Sequence, residues 1–254
     1  MMTLVEEWEA LAADTRNTAL GIFETQNVPV TIKGFADEKV LALMLLARTV
    51  SNMKGTLQLL DARRIVEARI ITRSCFENFF WTVGLAEKGE AFVREMRNDD
   101  ISHRRSQGQS IFSSGIELEE ATKERLQVFM RSSGKQFGDA KTLSPKRVAW
   151  IKEHFKSTYI FYGHLSADAH PLVTTLNRYA VPHTADEVGG IDVEPVIKDA
   201  EVAETLEFLC MAAIGVCVGV NQMLGGTDGG KALDGILTRY SDLSNRTKAQ
   251  RVAS

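Results

Sequence analysis

The chain has 254 residues, of which 44% are hydrophobic and 25% are charged. These globular proportions exclude a disordered or collagen-like chain, and the length allows one large domain or two small ones. The 30 basic and 33 acidic residues give a net charge of −3. This charge argues against broad binding to duplex DNA, because such binding needs a basic surface.

Five helices are predicted in the first half of the chain. Apolar residues at helical spacing predict helices over about 6–26, 37–60, 62–87, 91–107 and 117–130. Asp37 is a suitable N-cap for the second helix, and the third is apolar on nearly all faces, which is typical of a helix inside a bundle. The Ser- and Gly-rich segment 106–115 is predicted to be a loop.

In the second half, Ser144-Pro145 predicts the start of a helix that runs to about Ala169, where His170-Pro171 predicts its end. The remaining predicted segments are an irregular connection with a short hairpin over 174–195, an apolar helix over 196–224, a flexible glycine hinge over 225–230 and a weaker helix over 233–251. The predicted fold class is therefore all-α, a multi-helix antiparallel bundle of about seven to nine helices. We predict a single domain over 1–254, with its core at about 37–224 and the hinge and C-terminal helix at 225–254.

The cysteine pattern and the lack of an expected signal peptide favour a cytoplasmic protein. Cys75, Cys210 and Cys217 lie in apolar, helix-like stretches without Cys-x-x-Cys spacing, which is typical of reduced thiols. The N-terminus has no basic region followed by an apolar block, so no signal peptide is expected. The longest uncharged stretch, Phe208 to Val220, is shorter than a membrane span of about 20 residues and predicts a buried core helix. We expect no membrane partner.

A first group of polar residues interrupts the apolar third helix. Arg73 and Glu77 are four residues apart and share a helix face, flanked by Ile70 and Phe76. A buried arginine needs a carboxylate partner, because an unpaired buried charge costs several kcal/mol. The pattern therefore predicts a buried Arg73–Glu77 ion pair, and the alternative is a solvated ion pair of the kind common on surface helices.

A second group lies before the predicted helix end. Tyr162, Ser166 and His170 stack on one helix stripe at i, i+4 and i+8, and we predict that they form a polar binding cluster with Arg73 and Glu77. The alternative is a set of satisfied core groups that fixes the register of the bundle. The neighbouring pair His164 and Asp168 offers too few ligands for a metal site. Glycine-rich phosphate loops are also missing from the sequence, so neither metal nor cofactor is predicted.

A third motif is Arg97-Asn-Asp-Asp-Ile-Ser-His103, which resembles the catalytic motif of HEPN-domain ribonucleases. In that family the histidine and the arginine act on the 2′-hydroxyl and the scissile phosphate without a metal. The resemblance implies catalytic roles for Arg97 and His103. The chemistry is reasonable, since histidine transfers protons near neutral pH and arginine stabilises phosphate charge.

A wider resemblance covers roughly Asp37 to Asn177. Arg73-Ser-Cys-Phe-Glu77 resembles the Arg-Ser-x-x-Glu element of a widespread bacterial helical family of unknown function. Tyr162, Ser166, His170 and Pro171 match the Tyr-x-x-x-Ser-x-x-x-His-Pro element of the same family. The resemblance implies an all-helical intracellular protein, distantly similar to HEPN-type bundles, without an established activity.

Three functional hypotheses follow from these motifs. The first is a binding or effector module whose polar cluster recognises a small ligand, a nucleotide, RNA or a segment of a partner protein. The second is a HEPN-like, metal-independent ribonuclease of a bacterial defence or toxin system. The third is a purely structural cluster, with function on an oligomer surface. A homodimer is expected in each case, because apolar bundle helices often complete their burial with a partner.

Overall fold

The computed structural model describes residues 2–29, 32–136, 142–184 and 189–253. Within these ranges the α-helices are α1 (Leu4–Thr25), α2 (Glu38–Asp61), α3 (Ile65–Lys88), α4 (Glu90–Ser113), α5 (Glu120–Gln136), α6 (Pro145–Ala149), α7 (Thr158–Asp168), α8 (Val173–Leu176), α9 (Asp199–Met223) and α10 (Leu233–Ala253). The strands β1 (Ala180–Val181) and β2 (Gly190–Ile191) form the small hairpin that the sequence predicts. The all-α fold class is confirmed.

The α2–α3 hairpin forms one half of the core. Asp37 caps α2 as predicted, because its Oδ1 accepts hydrogen bonds from the backbone N–H groups of Lys39 at 2.9 Å and Val40 at 3.3 Å. A short connection with Arg63 in a left-handed conformation (φ 55°) then reverses the chain. As a result α3 lies antiparallel to α2.

The long helix α9 lies at the centre and packs against α1, α2, α3 and α10. By length and composition it could cross a membrane, with a mean hydropathy of 1.7 in its most apolar window. However, 67% of that window is buried against the other helices, as expected for a core helix.

The predicted loop over 106–115 is wrong, because α4 continues as a helix to Ser113. The hydroxyls of Ser110 and Ser113 donate to the carbonyls four residues earlier, so these side chains are satisfied within the helix. Gly108 is buried, and a Cβ there would lie 2.9 Å from the sulfur of Met130 on α5. Packing against α5 thus favours helix where local composition indicates a turn.

The predicted continuous helix over 145–169 is also wrong, although its start at Pro145 is confirmed. It is divided into α6, a 3-10 turn at Glu153–Phe155 and α7. The break allows Phe155 to pack edge-on against Phe79 of α3, with ring centroids 5.3 Å apart. This tertiary contact outweighs the local preference for one uninterrupted helix.

The C-terminal segment packs on the N-terminal helix. The predicted glycine hinge ends in a 3-10 turn, where a Cβ on Gly229 would lie 2.0 Å from the carbonyl carbon of Gly21. Further along, the indole N–H of Trp8 donates to the hydroxyl of Thr247 at 3.0 Å, and both residues are buried. Residues after 224 are therefore part of the same helical bundle as α1.

Candidate functional site

The most buried ion pair lies one helical turn before the predicted one. The Nε of Arg69 donates to Asp168 at 2.6 Å, and their side chains are 1% and 4% exposed. Arg73 and Glu77 do pair, at 2.8 Å, but 26% of each side chain is exposed. The expected burial of the Arg73–Glu77 pair is thus wrong, because this turn of α3 faces a cleft and the turn of Arg69 faces the core.

Arg69 is the centre of a charge network that joins α3, α7 and α9. Its Nη1 donates to Glu204 at 3.2 Å, and Arg178 contacts both Asp168, at 3.3 Å, and Glu201, at 2.5 Å. Burial disfavours the charged form of Arg178, but its hydrogen bond to Glu201 and the negative charges of Glu201 and Asp168 together outweigh this effect and raise the pKa of the guanidinium. These matched charges hold three helices together.

The second polar region is a cleft of about 330 Å³ between α2, α3, α4, α6 and α7, which we call the polar cleft. Its polar lining residues are Arg48, Arg73, Glu77, Asn78, Asp99 and His103. Tyr162 and Trp81 supply aromatic surface. The polar cleft brings together residues that lie more than 100 positions apart in the sequence.

Arg73, Glu77 and Tyr162 form a hydrogen-bonded triad in one wall of the polar cleft. The Nη2 of Arg73 donates to Glu77 at 2.8 Å and to the Tyr162 hydroxyl at 3.1 Å, and this hydroxyl lies 3.3 Å from the same Glu77 oxygen. The guanidinium carbon also lies 5.2 Å from the centre of the Tyr162 ring, within cation–π range. Burial works against the charge of Arg73, but the bonds to Tyr162 and Glu77 outweigh it and raise its pKa.

Asp99 and His103 of α4 form the opposite wall. Asp99 accepts a hydrogen bond from the backbone N–H of Leu143 at 2.6 Å, which ties α4 to the segment before α6. The Nε2 of His103 lies 3.5 Å from the same Asp99 oxygen, and 64% of the histidine side chain is exposed. A histidine beside a fixed carboxylate can bind an anion or transfer a proton.

The structure does not bring the other predicted site residues into the polar cleft. Ser166 donates within α7 to the Tyr162 carbonyl at 2.8 Å, and His170 is exposed beyond the end of the helix. Arg97 is exposed on α4. It precedes His103 by six residues, which places the two side chains on different helix faces at about 100° per residue.

The polar cleft contains two residues that the sequence analysis did not identify, Asn78 and Arg48, and two buried polar atoms without partners in the ranges that the structure describes. Asn78 is fully buried and donates to Thr49 at 3.0 Å, but its Oδ1 has no hydrogen-bond partner among the described residues. The Nε of Arg73 is likewise buried without an acceptor. Arg48 is exposed and makes no ion pair within the described part of the chain. A sequence signal existed, since Arg48 and Asn78 each interrupt an apolar helical run.

The cysteines are not activated as nucleophiles. Burial raises the pKa of the Cys75 and Cys217 thiols to about 12, and it also raises the pKa of Cys210. In the ranges that the structure describes, no group of three or more His, Cys, Asp and Glu side chains is placed to hold a metal ion.

The comparisons with known proteins give one match. The model of a family of unknown function, DUF5677, matches residues 39–188, which is more than half of the chain. No curated protein and no solved structure matches. The match agrees with the expected resemblance to an uncharacterised helical family.

Proposed function

The chain belongs to the DUF5677 family, whose function is unknown, and from the geometry of the polar cleft we propose that it is a binding module for a small polar ligand. The observation that carries the proposal is the position of Arg73, Glu77 and Tyr162. These side chains line an open cleft instead of a closed, dry cluster. Most ligand sites have this form, a concave surface with a few converging polar groups.

The unmatched polar atoms support the same proposal. A buried donor or acceptor without a partner destabilises the protein by about 1–3 kcal/mol. The Nε of Arg73 and the Oδ1 of Asn78 are two such atoms at the inner wall of the polar cleft. Neither atom is exposed to solvent in this structure, so a ligand would provide the missing partners after a small shift of the side chains that line the cleft.

Replacement of Glu77 separates binding from a structural role. In the Glu77→Ala variant we expect the apo melting temperature to change by no more than about 4 °C, because a partly exposed ion pair contributes less than about 1 kcal/mol. We expect the same variant to lose the melting shift that ligands from a panel of small polar metabolites cause in the natural protein. Differential scanning fluorimetry measures both quantities.

The control is Asp100→Ala, which removes an exposed carboxylate of α4 that pairs with Arg104 outside the polar cleft. This variant should keep both the apo melting temperature and the ligand shifts. A sharp fall of the apo melting temperature in Glu77→Ala, without any ligand shift in the natural protein, would instead support the structural hypothesis.

The second candidate is a metal-independent ribonuclease, and the specific observation that favours it is that His103 and Arg73 line the same polar cleft. Asp99 holds the imidazole from one side. In this alternative, Arg48 or Arg73 would take the phosphate-stabilising role that the motif assigns to Arg97, because Arg97 lies outside the cleft lining.

Cleavage of RNA in the presence of EDTA tests this candidate. His103→Ala should abolish cleavage without loss of helical content by circular dichroism, and Arg97→Ala should retain it. RNA that stays intact after long incubation with micromolar protein would exclude the ribonuclease and leave the binding proposal unaffected.

A further inference from the structure

The polar cleft is lined by two arginines and two carboxylates, but both carboxylates already accept hydrogen bonds from the protein. Glu77 already accepts from Arg73 at 2.8 Å, and Asp99 accepts from the backbone N–H of Leu143 at 2.6 Å. Both carboxylates are therefore bound to protein donors. Arg48 remains as a cation without an ion pair among the described residues, and it is exposed at the same cleft.

The available donors come from three different helices. Arg48 belongs to α2, Arg73, whose side chain is 26% exposed, belongs to α3, and His103 lies on α4. The carboxylate of Asp99 lies beside only one side of His103, at 3.5 Å. The cleft thus offers the cationic side chains of Arg48 and Arg73 and the imidazole of His103, beside two carboxylates that each already accept from a protein donor.

Resting on the proposed function, we propose that the ligand of the polar cleft is a small phosphate monoester, whose phosphate is bound by Arg48 together with His103 and Arg73. A phosphate monoester carries a charge of about −1.5 to −2 near neutral pH and three acceptor oxygens. Donors that converge from three helices match this tetrahedral group. A carboxylate has one charge and two coplanar oxygens, which a single arginine can satisfy.

The uncharged part of the ligand has a separate recognition group. Glu77 is an acceptor whose side chain is 26% exposed at the cleft, so it favours a ligand with a hydroxyl or amine donor. A cleft of about 330 Å³ lies at the lower end of the usual range for small-molecule sites. A phosphorylated alcohol of sugar size satisfies both conditions.

Titration with ribose 5-phosphate, ribose and malate at constant ionic strength tests the phosphate assignment. We expect ribose 5-phosphate to bind, as measured by isothermal titration calorimetry, and ribose and malate to bind at least tenfold more weakly. In Arg48→Gln, the affinity for ribose 5-phosphate should fall by roughly 10- to 100-fold, the usual effect of removing a charge-assisted hydrogen bond.

Arg97→Gln is the matched control, since it removes an exposed arginine of α4 that does not line the polar cleft. It should leave the affinity for ribose 5-phosphate within about twofold. Both substitutions are at exposed positions, so circular dichroism and melting temperature should match the natural protein.

The outcomes distinguish the two proposals. Binding of ribose or malate that equals the binding of ribose 5-phosphate would overturn the phosphate assignment, but the binding function of the cleft would stand. Equal losses in Arg48→Gln and Arg97→Gln, or no binding of ribose 5-phosphate at millimolar concentration, would also overturn it. Failure of the binding function itself is recognised separately, by a sharp apo destabilisation of Glu77→Ala together with the absence of any ligand shift in the natural protein.

Discussion

At the residue scale, two arginines one turn apart on α3 have different roles because their surroundings differ. Arg69 is 1% exposed and pairs with the equally buried Asp168, whereas Arg73 is 26% exposed at the polar cleft. Both charges of a buried pair have lost their hydration, so removal of one partner leaves the other buried without a counter-charge. Arg69 therefore supports the fold, whereas Arg73 pairs with Glu77 and Tyr162 at the wall of the polar cleft.

Replacement of Arg69 by methionine removes one of the two arginines that pair with the buried Asp168. Arg178 still contacts Asp168, so we expect a loss of about 3 kcal/mol in the free energy of unfolding, at the lower end for a broken buried pair. Urea denaturation followed by circular dichroism measures this loss. Arg104→Gln, which breaks an exposed pair with Asp100, should cost less than about 1 kcal/mol. Similar losses in the two variants would show that burial does not increase the contribution of an ion pair to the free energy of unfolding.

At the element scale, glycines determine how closely α9 approaches α3. A Cβ on Gly215 would lie 2.4 Å from the ring of Phe79, and one on Gly219 would lie 2.7 Å from Thr82. Neither distance is compatible with normal van der Waals contact. The two helices can pack at this spacing because these positions lack a side chain.

An alanine scan of helical glycines tests this packing. Gly215→Ala should lower the free energy of unfolding by about 1–3 kcal/mol, because the Phe79 ring must move. Gly163→Ala on α7 is the control, since no atom lies within 4 Å of the added Cβ, and it should raise stability by about 0.5–1 kcal/mol through helix propensity. Chemical denaturation gives both values. If Gly215→Ala were stabilising too, the close approach would not matter energetically.

At the scale of the whole molecule, the family match and the hydrophobic core have different extents. The match covers residues 39–188, but the core also includes α1, α9 and α10, which lie outside it. The hydroxyl of Ser244 on α10 donates to the buried Glu207 of α9 at 2.7 Å, and Thr247 accepts from Trp8. The terminal helices thus complete the burial of the matched region.

A chain that ends at Gly226 lacks α10 and tests this dependence. Trp8 and Glu207 would lose their buried hydrogen-bond partners, so we expect loss of cooperative thermal unfolding and binding of the dye ANS to exposed apolar surface. A chain that ends at Gln250 retains Ser244 and Thr247 and should melt like the full chain. Cooperative melting of the shorter chain at the normal temperature would show that α10 is dispensable.

The homodimer and the cytoplasmic location stay predictions.

The sequence alone determined the all-α class, the order of the long helices, the Asp37 cap and the start of α6, because helical periodicity and capping are local properties. It also identified Arg73, Glu77, Tyr162 and His103 as unusual polar residues. The sequence did not reveal that His103 lines the same cleft as the other three residues, because a local pattern contains no information about contacts between distant segments.

Tertiary structure decided which arginine of α3 is buried, where the helix between Pro145 and Ala169 breaks, and which predicted site residues meet. Each of these depends on packing against a partner that is remote in sequence: Asp168 for Arg69, Phe79 for Phe155, and α2, α3 and α7 for His103. Burial and its electrostatic consequences belong to the assembled surface. Periodicity can therefore place a charged residue on a helix face, but only the packed neighbours determine whether that face is core or cleft.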